Sequence, residues 1–243
     1  MLRAYPEARP ILHEAFQRAV ARTLDDLHEK GIEQEPQITD RLMARIEDAV
    51  LGLKLPDTQF RSITFTDRGR NSEESRWGAD FAGFLSFTYT NTKIVKVFLA
   101  QAKKGSDIGI ISLDNLSSQE RAGLLEQIEK MLISTPECYI TVYTGSSIKF
   151  VPALSIKNVL AQGNYPDFWY EIGRYVPVID AVSFYDQHFE CLIGDLTIGQ
   201  RVNFSVDSVE TLKRALDVVR ARAGQSIVAT VERPLTITDE LRG

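Results

Sequence analysis

The feature that most constrains this chain is a change in hydrophobic period. Up to about Leu53 the apolar residues recur at helical spacing. From Phe60 they follow strands instead, and the longest strand signal is a pair, Ala79 to Tyr89 and Lys93 to Lys103, broken only at Asn91-Thr92. Two such runs about a short polar break read as a β-hairpin. With Asn91-Thr92 as a two-residue turn, Asp80 is expected to face Lys103 and Ala82 to face Gln101. Opposed residues stand about 5 Å apart on one face, and side chains repeat every second residue. Asp80, Gln101 and Lys103 should therefore cluster on one face at the end of the hairpin away from the turn. A three-residue turn would change the parity and scatter them.

The neighbouring segments set the fold class. Residues 8–30 carry Ile11, Leu12, Ala15, Ala19, Val20, Leu24 and Leu27 at helical spacing. A second helix is expected from Thr39, as N-cap, to about Leu53, with Pro56 preventing continuation. Phe60 to Thr66 reads as a strand and Asp67 to Trp77 as a polar loop. Ser117 followed by Glu120 fits a capping box, opening a helix that buries Leu124, Ile128 and Met131. Cys138 to Thr144 and Ile148 to Pro152 read as strands joined by Gly145-Ser146-Ser147. Helix, helix, three strands, helix, two strands predicts a mixed α/β sandwich, a mixed sheet flanked by helices, rather than a doubly wound sheet. Further on, Val209 to Ala223 is an expected helix and Ile227 to Glu232 a short strand. Turn signals such as Gly163-Asn164 and Gly194-Asp195 crowd the segment between. With no clean linker, the organisation reads as helices over residues 1–58, a core over 59–155, and a C-terminal extension of the same domain over 156–243.

Composition excludes several classes. Of 243 residues, 44% are hydrophobic and 25% charged, which suits a globular fold and not a disordered or coiled-coil chain. No apolar run approaches the roughly 20 residues of a membrane helix, and Met1 to Pro10 has no signal core, so a cytoplasmic protein is expected. Cys138 and Cys191 sit in apolar contexts as expected buried free thiols. They and three scattered histidines cannot assemble a zinc shell. The net charge is −5, yet between Arg61 and Lys104 eight basic residues stand against four acidic ones. A locally basic stretch around a few acids suits a polyanion site.

Asp80, Gln101 and Lys103 together suit phosphodiester hydrolysis. That reaction uses a divalent cation to neutralise charge and to activate a bound water. Asp80 supplies a carboxylate and Gln101 an amide oxygen, both hard ligands suited to magnesium. Lys103 can orient the water or stabilise the transition state. Glu73 and Glu74 lie just upstream as a possible further acid. Gly78-Ala79-Asp80, an apolar strand, then Gln101-Ala102-Lys103-Lys104 resembles the PD-(D/E)xK restriction-endonuclease-like superfamily, in the variant where glutamine replaces the second acid, as in Mrr-like restriction enzymes. The helix with Gln127, Lys130 and Met131 and the strands Tyr139 to Tyr143 and Ile148 to Ala153 are similar to bacterial defence-associated members. The similarity covers roughly residues 39–155.

The resemblance implies an αβββαβ core, metal ligation by Asp80 and Gln101, and a catalytic Lys103. Glu74 is a further catalytic candidate and Gln127 a weaker one. Arg68, Arg70, Arg76 and Lys104 are the expected nucleic-acid contacts. The implied protein is a metal-dependent endonuclease using Mg²⁺ or Mn²⁺ on DNA, plausible as the effector of an anti-phage or restriction system. It would act as a homodimer or a subunit of a defence complex. The missing second carboxylate leaves open an inactive nucleic-acid-binding or protein-interaction module of the same fold, and RNA remains an alternative substrate. Trp77 could stack on a base, but a packing role is favoured, and His188 beside Phe189 reads as structural.

Overall fold

The computed structural model describes residues 6–29, 34–55, 58–65, 76–89, 92–105, 117–162 and 176–195, with residues 210, 213, 216 and 217. The elements bounded within the described residues are α1 (Ala8–Glu29), α2 (Glu35–Gly52), β1 (Thr58–Thr64), β2 (Phe81–Tyr89), β3 (Thr92–Lys104), α3 (Ser118–Ser134), β4 (Cys138–Tyr143), β5 (Ile148–Pro152), α4 (Ala153–Gln162), β6 (Ile179–Asp180) and α5 (Ala181–Phe189). The strands make one mixed sheet in the order β1-β2-β3-β4-β5-β6. All pairs are antiparallel except β3–β4, which is parallel with α3 as the crossover. The α/β class read from the sequence is the class of the structure.

Each face of the sheet buries its own core. On one side Ala82, Phe84, Val97, Leu99, Ile140 and Val151 pack against Leu124, Ile128 and Met131 of α3 and Ile156 and Leu160 of α4. On the other side Phe81, Leu85, Phe98, Ala100 and Phe150 pack against α1, α2 and α5. Both faces being covered explains why the six residues of β4 are all buried and why the strand sequences are near-continuous apolar runs rather than alternating ones. Aromatic stacking joins α5 to this second core: the Phe150 and Phe184 rings lie 3.8 Å apart and nearly parallel.

Local chemistry accounts for the element ends. Ser117 caps α3 through the expected box: its hydroxyl accepts from the Glu120 amide while the Glu120 carboxylate accepts from the Ser117 amide. Helix α2 starts at Glu35, earlier than the expected N-cap Thr39, because Pro36 in the first turn is already set for helix and has no amide to leave unpaired. Thr39 is buried instead. Its hydroxyl donates to the Glu35 carbonyl and so accepts from the Tyr143 phenol at 2.9 Å, tying α2 to the end of β4. The expected strand Ile227 to Glu232, the turn at Gly163-Asn164 and most of the helix from Val209 lie outside the described residues.

A candidate active site at the open end of the central hairpin

The β2–β3 register differs from the expected one by a single step of the turn. Tyr89 pairs with Thr92 and Phe81 with Ala100, so Thr92 belongs to β3 and the turn is not Asn91-Thr92. Moving a two-residue turn back by one position shifts each partner by two residues and leaves the parity unchanged. Continued past Phe81, that register would bring Asp80 to Gln101 rather than Lys103, and the Gln101 side chain does bond to the Asp80 carboxylate. Gln101 and Lys103 share the β3 face that carries Val97 and Leu99. Lys103 stands two residues, roughly 6.6 Å, further along β3.

Asp80 closes the ladder. Its amide donates to the Ala100 carbonyl at 2.9 Å, and its carbonyl accepts from the Phe65 amide at 2.7 Å. Its carboxylate Oδ2 then accepts the Ala102 amide and the Gln101 side-chain Nε2, each at 2.6 Å. The side chain thus takes the place a backbone carbonyl of residue 79 would fill in a continued ladder. The chain cannot continue it, because Gly78 turns away at φ +70° and is pressed onto α3. A Cβ at Gly78 would lie 2.1 Å from the Gln127 carbonyl oxygen, so glycine is required here on two counts. That contact also sets Gln127 beside the Gly78-Ala79-Asp80 turn.

The Gln101 amide is oriented by these bonds. Nε2 donates to Asp80 and to the Ala102 carbonyl; reversing the amide would set its oxygen against a carboxylate oxygen at bonding distance. Oε1 consequently projects elsewhere, and it is buried with no hydrogen-bond donor, in a residue only 1% exposed. An orphaned buried carbonyl beside a carboxylate is an electron-rich pair awaiting a donor or a cation. Lys103 is half-buried on the same face as Gln101, and its side chain has no hydrogen bond or ion pair among the described residues.

Two acids that sequence reasoning missed reach the same end of the sheet. Glu35 accepts the Lys104 amide at 2.6 Å, and Asp40 accepts the Thr64 hydroxyl at 2.7 Å. Burial raises the Tyr143 phenol well above its ordinary range, and the charges of Asp80, Glu35 and Asp40 push it further in the same direction. Glu35 escaped notice because α2 was expected to begin four residues later. Its signal was an acid beside a proline at a helix start.

The remaining expected contacts are dispersed. Arg76 pairs with Asp217 at 2.6 Å and lies over the Trp77 ring. Trp77, 2% exposed and stacked on Phe65, packs and presents no face to a base. Lys104 is exposed, but strand alternation turns it to the α2 side, away from Lys103. Lys96 is no part of a basic surface: it is 3% exposed, donates to the Cys191 carbonyl, and burial lowers its pKa. Cys138 is buried, its thiol pushed up to about 12 by burial, while Cys191 is half-buried rather than buried; neither forms a disulfide. Glu73, Glu74, Arg68 and Arg70 lie outside the described residues. Among the described residues no three His, Cys, Asp or Glu side chains are grouped to hold a metal, and no helix is long and apolar enough to cross a membrane. Comparison with family models and with curated proteins gave no match to this chain.

Proposed function

We propose that this chain is a metal-dependent nuclease of the PD-(D/E)xK type, acting on the phosphodiester backbone of DNA. The observation that carries the reading is the orphaned Gln101 Oε1, held beside the Asp80 carboxylate with Lys103 on the same face. The element order α2-β1-β2-β3-α3-β4, with β4 parallel to β3, supports the αβββαβ core the resemblance implies. Two oxygens from neighbouring strands suit a hard divalent cation that keeps several of its own waters. Asp80 and Gln101 would hold it, with Glu35 supplying a further carboxylate at the same sheet end. When bound, such a cation supplies charge neutralisation and a water of lowered pKa. Lys103 orients the attacking water or balances charge on the phosphoryl oxygens, and its location at the end of a paired strand fixes where that charge sits.

A second reading is a non-catalytic nucleic-acid-binding or interaction module of the same fold. It is favoured by the ladder-closing role of Asp80, which engages its carboxylate without any chemistry. Incubation with labelled single- and double-stranded DNA and RNA, in Mg²⁺, Mn²⁺ or EDTA, separates the two. Cleavage that needs metal and disappears in Lys103→Ala supports the nuclease. Binding without cleavage in any metal supports the module, and cleavage of RNA alone moves the substrate from DNA to RNA.

A further inference from the structure

We infer that Lys149 is a second phosphate-contact residue, so that a nucleic-acid strand held at Lys103 runs across the sheet toward β5; this rests on the function proposed above. The strand register carries it. Lys103 pairs with Val142 on β4, and Val142 pairs with Lys149 on β5. Paired residues project from one face, and the core identifies which: Val142 and Val151 join the side covered by α3 and α4, together with Val97 and Leu99 of β3. Lys103 and Lys149 therefore stand in one row on the face that carries Gln101, two strand spacings or about 9.5 Å apart.

Neither lysine is neutralised from within. Both are half-buried, and neither has an ion pair or side-chain hydrogen bond among the described residues. Several other long cations are engaged: Arg41 and Arg45 on Asp26, Arg61 on Glu47, Arg76 on Asp217, Lys130 on Glu126 and Lys157 on Glu129. The acid nearest Lys149 in register is Asp180 on β6, and its carboxylate caps α5 by accepting the Ser183 amide. Two unpaired cations in one row, in a chain of net charge −5, fit a ligand whose charge repeats along its length. A single small anion would need only one of them. A sugar-phosphate backbone has that repeat. Of the expected contacts that are described, Arg76 is ion-paired and Lys104 lies on the other face.

The test is fluorescence anisotropy with a fluorescein-labelled DNA oligonucleotide, single-stranded and duplex, in EDTA across a KCl series. Lys149→Gln should weaken binding and flatten the plot of log Kobs against log[KCl] by roughly 0.7 for the single strand and 0.9 for the duplex, one phosphate contact's worth. Lys149→Arg should keep the parent slope, and Lys54→Gln, in the turn after α2, should also keep it. Unchanged melting temperatures show that the variants fold. If the parent binds and Lys149→Gln retains its slope and affinity, the inference is overturned and the nuclease reading stands. Equal flattening by Lys54→Gln overturns it as a bulk-charge effect. A parent that neither binds nor cleaves nucleic acid overturns both.

Discussion

Gln101 concentrates the chemistry of this chain in one side chain, because its two ends do different things. The nitrogen end holds Asp80; the oxygen end is buried without a donor. Replacing it by glutamate sets two carboxylates face to face. Gln101→Glu should therefore melt at a lower temperature than the parent in EDTA, yet gain more from added Mg²⁺, since a charged oxygen is the stronger ligand for a hard cation. Differential scanning fluorimetry across an Mg²⁺ series measures this, and identical metal responses in the two proteins would rule out an ion at that position. If the proposed nuclease reading holds, Asp80 and Lys103 separate stability from catalysis. Asp80→Ala orphans the Ala102 amide and leaves the Gln101 nitrogen only the Ala102 carbonyl, at about 1–3 kcal/mol for the orphaned amide, whereas Asp80→Asn keeps an acceptor oxygen and should lose much less stability. Both should lose cleavage. Lys103→Ala should cost on the order of 10²–10³ in rate and leave stability within about 0.5 kcal/mol, as urea unfolding and a cleavage assay can show side by side.

At the level of elements, the site is made by the way β2 begins. The hairpin brings Asp80 to Gln101, but the ladder stops there because Gly78 bends the chain onto α3 at Gln127. Gly78→Ala forces a side chain into positive φ and a Cβ into the Gln127 carbonyl. The expected outcome is destabilisation of more than about 2 kcal/mol, beyond the strain of an unfavourable φ alone, with loss of cleavage as Asp80 is displaced. A Gly78→Ala protein that melts with the parent and cuts as well would show that the turn is not what seats Asp80. The same helix also closes the parallel β3–β4 crossover, so α3 positions both halves of the site: the Asp80 turn against its side, and the β3 row beside β4.

Across the whole molecule, two cores on opposite faces of the sheet must form together, and one histidine makes the larger of the two sensitive to acid. His188 is fully buried among Phe60, Phe98 and Phe189. It donates from Nδ1 to the Ile193 carbonyl at 3.2 Å, and its Nε2 has no partner. Burial drives its pKa down from 6.5 to about 3. The unfolded chain therefore binds a proton that the folded chain refuses between those values. Folding stability from this residue is fully present above pH 6.5 and is lost as pH falls toward 3, with a limiting slope of about 1.4 kcal/mol per pH unit. His188→Phe should flatten the stability profile between pH 6.5 and 5, above the range where ordinary carboxylates titrate, as denaturant midpoints at each pH would reveal. A profile in the variant as steep as the parent's would place the acid sensitivity elsewhere.

What residue order determines by itself here is whatever depends on neighbours within a few positions. The capping box at Ser117, the apolar periods of the helices, the strand pair around residue 90 and the shared parity of Gln101 and Lys103 all have that local character. They led to an α/β fold and to one stretch of chain worth close inspection. The hairpin register came out one turn position away, because both placements put the same residues on each face and the apolar pattern does not choose between them. Tertiary structure alone decided the rest. The Glu35 carboxylate met Lys104 across 69 positions, Arg76 was drawn off by Asp217, Lys96 was buried under Cys191, and Lys149 was set in the Lys103 row by two strand pairings. Such contacts join residues far apart in the chain, and no local pattern encodes them. They arise because both faces of the sheet have to be covered at once.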